Sequence, residues 1–336
     1  MIFFKNKSIL ITGGTGSFGS KFLSYLLKLK SNKPKKVIVF SRDELKQFEL
    51  MKTFPEKNYP SVRYFLGDIR DKQRLKMAFE DVDYVIHAAA LKQVPTAEYN
   101  PIEFVKTNVI GSQNIIEAAI ELNVKKVIAL STDKASSPVN LYGATKLCAD
   151  KLFLSANTLV GKKKTSFSVV RYGNVFGSRG SVVPFFLDLI NKKQKLIITD
   201  PNMTRFNIDL DDAVKLVVNA TMNSVGGEIF VPKISSYRIM DIVKAIQKNK
   251  NIKIVGIRPG EKLHEELISK AEGYNAFDLG NYFIIPGTQK SINHCKKKKY
   301  KKFKIGKNYN SLDNTFLTIA QIKELIKNYK NKITSI

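Results

Sequence analysis

Two side chains four residues apart could carry proton transfer in this sequence. Tyr142 and Lys146 lie in the run YGATK, and a spacing of four places both on one face of a helix. A neighbouring ammonium lowers the pKa of a phenol from its usual value of about 10, which favours a phenolate able to take a hydroxyl proton near neutral pH. Because such pairs also occur by chance on solvated helix faces, the surrounding elements must decide.

More polar side chains stand just before this pair. Thr132, Asp133 and Lys134 follow the apolar run VIAL, and Thr132 offers a hydroxyl that could orient an alcohol as it is oxidised. The other two residues have simple structural interpretations. An aspartate often caps a helix N-terminus, and a lysine usually lies on the surface.

The elements that must position these groups alternate along the first half of the chain. Short apolar segments rich in branched residues are typical of buried parallel strands, and amphipathic segments between them predict helices, one of them from Phe104 to Leu122. The pattern predicts an α/β protein with a Rossmann-type doubly wound parallel sheet. Tyr142 and Lys146 follow its fifth strand, so chance is a poor explanation of their spacing. Strands are predicted at Ser8–Thr12, Lys36–Phe40, Val62–Leu66, Tyr84–His87, Val127–Leu130 and Ser166–Arg171.

The pattern loosens after Arg171 and predicts a smaller mixed α/β substrate-binding lobe. Helices are predicted from near Asp211 and Ser236 and from Thr318 to Tyr329, and the lysine-rich stretch 296–304 predicts a mobile loop. Short strands are predicted at Leu196–Thr199, Arg205–Asp209, Glu228–Val231 and Ile252–Gly256. The cofactor-binding domain is predicted to comprise residues 1–180 and to receive about 205–228, and the lobe to comprise 181–204 and 229–336.

A glycine-rich turn after the first strand predicts a dinucleotide site. The run GGTGSFG has G-x-x-G-x-x-G spacing and leads into a predicted helix that ends at Leu29. Glycine permits the tight turn and the close approach of the backbone to a pyrophosphate, and the helix N-terminus offers N–H groups to the phosphates. The expected cofactor contacts in this run are Gly13, Thr15, Gly16, Ser17, Phe18 and Gly19.

The end of the second strand distinguishes NADP from NAD. An NAD site usually has an acidic residue there, whereas Ser41 is followed here by Arg42, whose guanidinium suits a 2′-phosphate. Lys46 can add a second cation. In the alternative interpretation Arg42 lies on the surface and Asp43 plays the NAD role one residue late; we predict NADP. Further cofactor contacts are expected at Ser41, Asp43, Asp68, Ile69, Ala88, Lys92, Asn108, Tyr142, Lys146, Val175 and Ser178.

Eight strings in order resemble one enzyme family. TGGTGSFG, SRDELKQ, GDIRD, HAAALKQVPTAEYNP, LSTDKASSPVNLYGATK, RYGNVFGSRGSVVPFF, MTRF and RPGEKLHEELIS are similar to those of the inverting UDP-N-acetylglucosamine 4,6-dehydratases, within the extended short-chain dehydrogenase/reductase superfamily. The resemblance covers residues 7–287 and resumes weakly at 309–325. It implies the first step of pseudaminic acid biosynthesis, a lyase reaction in the polysaccharide pathways.

The resemblance implies a role for each reactive group. Tyr142 takes the C4 hydroxyl proton while hydride passes to NADP+, Lys134 is the base at C5, and Asp133 is the acid at the departing C6 hydroxyl. Hydride then returns to C6, and protonation of C5 from the opposite face gives the L-arabino 4-keto sugar. Arg205 and Arg258 are expected to bind the UDP diphosphate. The expected substrate contacts are Lys92, Asn174, Val182, Thr199, Arg205, Arg258 and Glu261.

Two alternatives share this superfamily, namely a C4 epimerase and a dehydratase that retains the C5 configuration. The pair of Asp133 and Lys134 argues against a pure epimerase, and Tyr142 favours the pseudaminic acid branch. Asn207 after MTRF stands where an aromatic residue is expected, and residues 271–311 are divergent. Both departures bear on substrate preference. The resemblance also implies a homo-oligomer, a dimer or a hexamer.

Charge and composition exclude other classes. The net charge of +27, from 56 Lys+Arg against 29 Asp+Glu, suggests a polyanionic partner or a non-enzymatic basic binding protein. NADP and a UDP-sugar need only a few of these cations, so we expect no nucleic-acid partner. Two cysteines and three dispersed histidines predict no disulfide framework and no metal site. We expect a cytoplasmic protein without a membrane partner, since no signal peptide or long apolar run is evident.

Overall fold

The computed structural model describes residues 3–178, 180–247 and 251–334. The strands, numbered along the chain, are β1 (Ser8–Thr12), β2 (Lys36–Ser41), β3 (Val62–Leu66), β4 (Tyr84–His87), β5 (Lys126–Thr132), β6 (Ser166–Tyr172), β7 (Asn174–Val175), β8 (Leu196–Ile198), β9 (Thr204–Ile208), β10 (Glu228–Pro232), β11 (Ser236–Arg238), β12 (Ile252–Ile254), β13 (Glu266–Ile268), β14 (Phe277–Asp278), β15 (Tyr282–Pro286), β16 (Lys301–Lys302) and β17 (Tyr309–Asn310).

The α-helices are α1 (Ser17–Leu27), α2 (Glu44–Thr53), α3 (Lys72–Phe79), α4 (Val94–Tyr99), α5 (Pro101–Phe104), α6 (Gly111–Glu121), α7 (Leu141–Leu159), α8 (Val182–Asn191), α9 (Leu210–Asn223), α10 (Ile239–Ile246), α11 (Lys270–Gly273), α12 (Gln289–Lys297) and α13 (Ile319–Thr334). A π-helical segment, Val105–Ile110, joins α5 to α6, so the predicted helix from Phe104 to Leu122 contains a bulge. A 3₁₀ turn, Asp133–Ala135, follows β5.

One sheet organises the described residues, with the strand order β16-β14-β15-β10-β6-β5-β4-β1-β2-β3. The pairs from β3 to β10 are parallel, and β15, β14 and β16 continue the sheet antiparallel. The order 3-2-1-4-5-6 is that of a dinucleotide-binding doubly wound sheet, which confirms the predicted fold class. Leu10 and its neighbours Ile9 and Ile11 belong to two different cores, because successive strand residues face opposite sides of the sheet.

Three sequence-based expectations for the second half are wrong. Residues 228–232, 277–278, 282–286 and 301–302 lie in the central sheet, although 229–336 was assigned to the lobe. Ser236 begins a strand that pairs with β9, and the helix starts only at Ile239. The lysine-rich stretch 296–304 comprises the end of α12 and the strand β16, whose partner is β14. The run of lysines hid these elements because every lysine in it is exposed.

A separate core lies beside the sheet and forms the base of the lobe. Its buried residues come from α8, β8, β11, α10 and α13, among them Phe186, Leu196, Ile242 and Ile322. The strands β7, β9 and β11 form a small sheet that connects this core to the end of β6. The lobe is therefore held against the carboxyl ends of the central strands, where ligands of this fold bind.

None of the helices in the described parts of the chain is long and apolar enough to cross a membrane.

Candidate active site

A cavity of about 370 Å³ lies at the carboxyl ends of β1, β2, β3 and β4. Its position is the topological switch point of the sheet, between β1 and β4, where dinucleotides bind in this architecture. Most of the expected cofactor contacts line it. These lining residues are Gly13, Thr15, Gly16, Ser17, Ser41, Arg42, Asp43, Lys46, Asp68, Ile69, Ala88 and Lys92.

The glycine-rich turn is shaped for close approach of a ligand. Gly13 has φ of +65°, and a Cβ at this position would lie 2.8 Å from the backbone nitrogen of Ala89, so a larger residue would strain the turn. Helix α1 begins at Ser17 with Gly16 as its N-cap, which offers no side chain to the first N–H groups. These N–H groups and the helix dipole suit the pyrophosphate of a dinucleotide.

The far edge of this cavity carries cations. The Arg42 side chain is 51% exposed, and its Nη1 lies 3.7 Å from Asp68 Oδ2. The Asp43 carboxylate is engaged as the N-cap of α2, where it accepts a hydrogen bond from the Lys46 N–H at 3.0 Å and pairs with the Lys46 ammonium. The Asp43 carboxylate is therefore engaged within the protein, while the exposed Arg42 side chain lines the cavity.

Some expected cofactor contacts lie outside the described lining of the cavity. The Asn108 side chain instead holds the β4 loop, donating to the Leu91 carbonyl and accepting from the Leu91 N–H, both at 2.9 Å. Thr107, which the sequence analysis missed, lines the cavity, and its buried hydroxyl has no partner among the described residues. Thr107 lies in the π-helical turn, an irregularity that is frequent at functional sites. The others outside the lining are Phe18, Gly19, Tyr142, Lys146, Val175 and Ser178.

The reactive residues after β5 form one hydrogen-bonded cluster. Asp133 is 1% exposed, and its Oδ1 accepts hydrogen bonds from the Thr132 hydroxyl at 2.9 Å and the Lys134 ammonium at 3.1 Å. Burial raises the pKa of Asp133, and the nearby Glu265 carboxylate adds to the effect. Burial alone would lower the pKa of Lys134, but the carboxylates of Asp133 and Glu265 raise it overall. The two carboxylates therefore favour the ammonium form of Lys134.

The surroundings of Tyr142 differ from those that its spacing from Lys146 predicted. Burial raises the pKa of Tyr142 to about 12, and the opposing effects come from Lys134 and Thr132. The Lys146 ammonium donates to the Leu130 carbonyl at 2.7 Å, and burial lowers its pKa, an effect opposed by Asp150. Tyr142 and Lys146 share one face of α7 as their spacing predicts, but burial has the largest effect on the pKa of Tyr142.

Close packing brings α7 onto the reactive turn. A Cβ on Gly143 would lie 2.3 Å from the Lys134 carbonyl oxygen, so glycine is required where the helix meets the 3₁₀ segment. Asn140 caps the helix by accepting the Gly143 N–H at 2.8 Å, and its amide donates to the Gly260 carbonyl at 2.7 Å. The N-terminus of α7 is thereby tied to the lobe that would hold the substrate.

A second cavity of about 170 Å³ opens onto the Lys134 side chain. Three expected substrate contacts, Asn174, Arg205 and Glu261, line it. The Asn174 Oδ1 atom is buried and has no hydrogen-bond partner among the described residues, which suits a contact with a ligand. The remaining lining residues are Val94, Lys134, Asn140, Gly260, Lys262 and Glu265.

The other expected substrate contacts lie apart from the lining of this cavity. Lys92 lines the cofactor cavity, Val182 is the first residue of α8, and Thr199 follows β8. Arg258 lies near Glu261, with its Nη1 3.9 Å from Glu261 Oε1, and its side chain is 54% exposed.

Glu265 is a site residue that the sequence analysis missed. It is 3% exposed, and its Oε1 atom lies 3.2 Å from the Lys134 Nζ and 3.8 Å from the Arg205 Nε. Burial would raise its pKa, but Lys134, Arg205 and Lys262 lower it overall. Its place in the string RPGEKLHEELIS was the available signal, yet a Glu-Glu pair gives no indication of which carboxylate is buried.

Residues 9–287 match the family model described as polysaccharide biosynthesis protein. The chain belongs to this polysaccharide biosynthesis protein family. One relative is the UDP-N-acetylglucosamine 4,6-dehydratase (inverting) of Campylobacter jejuni, 53% identical over 96% of this chain and 97% of its own. This match confirms the resemblance found in the eight strings.

The chain is also similar to a protein named as an epimerase and to a solved structure. UDP-glucose 4-epimerase from Rickettsia bellii is 43% identical over 97% of this chain and 96% of its own. The X-ray structure of Pen from Bacillus thuringiensis is 42% identical and superposes with a TM-score of 0.89, covering 97% of this chain and 98% of that one. Since one relative is named as a dehydratase and another as an epimerase, the reactive residues must distinguish the two reactions.

Proposed function

We propose that this protein is an inverting UDP-N-acetylglucosamine 4,6-dehydratase that uses NADP+, a hydro-lyase of nucleotide sugars. The observation that carries the proposal is the ion pair of the buried Asp133 with Lys134, 3.1 Å apart, in which Lys134 lines the substrate cavity. A C4 epimerase needs only oxidation and reduction at C4. A dehydratase also needs an acid and a base for C5 and C6, and this pair supplies both.

The proposed steps assign one proton to each residue. Burial raises the pKa of Tyr142 to about 12, so Tyr142 must first release its own proton to solvent. As a phenolate it takes the proton of the C4 hydroxyl as C4 becomes a ketone, and Thr132 orients that hydroxyl. The ketone acidifies the C5 proton, which Lys134 accepts, while Asp133 gives its proton to the C6 hydroxyl that leaves as water. A bound NADP+ supplies the hydride acceptor for C4 and, once reduced, the hydride donor for C6. Protonation of C5 from the opposite face by a proton that exchanges with solvent gives the inverted product.

The raised pKa of Lys134 adds one requirement to these steps. An ammonium cannot accept the C5 proton, so Lys134 must first give up a proton of its own. An ionised Asp133 carboxylate, with Oδ1 at 3.1 Å, is the nearest acceptor. Transfer between the two converts the ion pair into a neutral amine and a carboxylic acid, which are the base and the acid that the elimination needs.

The choice of NADP+ rests on the edge of the cofactor cavity. Arg42 and Lys46 line it beside Ser41, and a guanidinium with an adjacent ammonium matches a 2′-phosphate. The Asp43 carboxylate, which would serve an NAD ribose, caps α2 and pairs with Lys46. The glycine turn, the N-terminus of α1 and Thr107 fit the rest of a dinucleotide.

An epimerase of UDP-sugars is the second candidate, and it is supported by the names of relatives such as the Rickettsia protein. An epimerase would leave Asp133 and Lys134 without a proton to transfer, which disfavours it. A cytoplasmic location, a homo-oligomeric state and entry of the product into pseudaminic acid biosynthesis stay predictions.

Nuclear magnetic resonance of the reaction in D₂O tests the proposal. The purified protein is incubated with UDP-N-acetylglucosamine, and the sugar resonances are followed with time. We expect a 4-keto-6-deoxy sugar of L-arabino configuration with deuterium at C5. Interconversion at C4 with an unchanged C6 hydroxymethyl group would identify an epimerase and reject the proposal. A 4-keto product that retains the configuration at C5 would reject inversion alone.

A further inference from the structure

Glu265 lines the substrate cavity, but none of the proposed proton transfers involves it. Its Oε1 atom lies within ion-pair distance of both Lys134 and Arg205, while its Oε2 atom is buried and has no hydrogen-bond partner in the described parts of the chain. A carboxylate that is 3% exposed is costly to bury unless its charge is compensated. Its position therefore calls for a reason beyond packing.

The main chain of Glu265 is fixed on both sides. Its N–H donates to the Ser311 hydroxyl at 2.9 Å, and its carbonyl accepts from the Ser311 N–H at 2.8 Å. The Ser311 hydroxyl also lies 2.7 Å from the hydroxyl of Thr204, which precedes Arg205 on β9. Anchoring of this kind holds a side chain in one geometry, as sites that depend on fixed distances require.

Two carboxylates thus share the single ammonium of Lys134. Asp133 Oδ1 lies 3.1 Å and Glu265 Oε1 lies 3.2 Å from Nζ, so either could hold the lysine. Their surroundings differ, because Asp133 has the Thr132 hydroxyl as its other partner whereas Glu265 also has the positive charge of Arg205 nearby. The charged and titratable groups that act on this cluster from all sides are Asp133, Lys134, Tyr142, Arg205, Tyr237, Lys262 and Glu265.

We propose that Glu265 is a positioning residue of the dehydration, which holds the Lys134 side chain beside Asp133 so that the proton can pass from Lys134 to Asp133 and from there to the C6 hydroxyl. The inference rests on the roles proposed above for Asp133 and Lys134. The lowered pKa of Glu265 and the raised pKa of Asp133 agree with this division of labour. Glu265 contacts Lys134 and acts on the substrate only through that residue.

The negative charge of Glu265 should influence how the kcat of dehydration depends on pH. A negative charge raises the pKa of every titratable neighbour, by about one unit or more at distances of 4–6 Å. Its removal in Glu265→Gln lowers the pKa of both Asp133 and Lys134. We therefore expect both limbs of the pH profile of kcat for dehydration to move to lower pH by about one unit. Both limbs should move to lower pH whether a given limb reflects the pKa of Asp133 or that of Lys134.

Three variants separate charge from position. Glu265→Asp keeps the charge but retracts it by one methylene group, so both limbs stay near the wild-type pH while kcat falls about tenfold or more. Glu266→Gln removes a charge from the next residue, whose carboxylate accepts hydrogen bonds from Ser137 at 2.8 Å and Asn308 at 2.7 Å, and leaves both limbs unmoved. Thermal melting of each variant, with NADP+ bound, reports whether it is folded.

The outcomes distinguish this inference from the proposed function. If Glu265→Gln gives wild-type limbs and kcat, or if Glu266→Gln shifts the limbs equally, the positioning role is rejected while the dehydratase assignment stands. If Glu265→Gln does not fold, unchanged kcat in Glu265→Asp rejects the role on its own. A wild-type protein that forms no 4-keto-6-deoxy sugar rejects the proposed function first, and the inference with it.

Discussion

The two cavities of this protein use charge in opposite ways. At the cofactor cavity the side chains of Arg42 and Lys46 are 51% and 41% exposed, and each is paired with one carboxylate. At the substrate cavity Asp133 and Glu265 are 1% and 3% exposed and share the Lys134 ammonium. Both regions lie at the carboxyl edge of one sheet, so the difference arises from burial alone.

The exposed charges of the cofactor cavity bear on ligand affinity, whereas the buried charges of the substrate cavity bear on proton transfer. Exposed charges interact through water and are screened by salt, so each contributes a modest amount to the binding of an anionic ligand. Buried charges are strongly coupled, so that a change at one residue alters the protonation of the others. We therefore expect the cofactor cavity to lose one cation and still bind, whereas loss of one charge in the substrate cavity should alter the protonation of its neighbours and the rate of the reaction.

The largest expected effect is that of Lys134→Ala. The variant lacks the acceptor of the C5 proton and leaves two buried carboxylates without their cation, so we expect dehydration to slow by about 10²–10⁴-fold. The affinity for NADP+ should stay within about twofold, because Lys134 lies outside the lining of the cofactor cavity. Product formation followed by NMR and cofactor binding followed by calorimetry measure the two effects.

Lys151→Ala is the matched control for this variant, since it removes an exposed lysine from α7. It should change neither quantity. Undiminished water loss in Lys134→Ala would remove Lys134 from the mechanism, and a parallel loss of NADP+ binding would show that the two cavities are not separable.

A smaller effect is expected for Arg42→Ala at the exposed cavity. Loss of a charged hydrogen-bonding partner of the 2′-phosphate should raise the Kd for NADP+ about tenfold or more, with little change in the Kd for NAD+. Titration of both dinucleotides by calorimetry measures the preference. Lys52→Ala, on the helix α2 that follows Arg42 and outside the described lining of the cavity, is the control. An equal loss for both dinucleotides would contradict the assignment of the 2′-phosphate to Arg42.

The smallest expected effect is that of salt. An increase in ionic strength from about 0.05 M to about 0.5 M shortens the screening length to a few Å, and we expect NADP+ to bind a few-fold more weakly. The pH limits of dehydration should move little over the same range, because the groups that set them are buried. A shift of those limits as large as the one expected for Glu265→Gln would show that the substrate cavity is as open to ions as the cofactor cavity.

Much of the fold and part of the candidate site could be predicted from local sequence patterns. The six parallel strands β1 to β6 were predicted within two residues of their observed bounds, because each combines branched apolar residues with a turn at its end. The lysine-rich stretch 296–304 was misjudged as a loop, since every lysine in it is exposed. The antiparallel extension of the sheet through β15, β14 and β16 followed no local rule and was missed.

The sequence by itself determined which chemical groups are available: the glycine turn, the cations after β2, and the Thr132, Asp133, Lys134, Tyr142 and Lys146 set. Their order and spacing are local properties, so motifs preserve them. Only the tertiary structure decided their surroundings. It brought Glu265 from far along the chain to 3.2 Å from Lys134, and by burial it raised the pKa of Tyr142 to about 12. The reason is physical: protonation depends on desolvation and on charges close in space, and neither quantity is written in the spacing of residues.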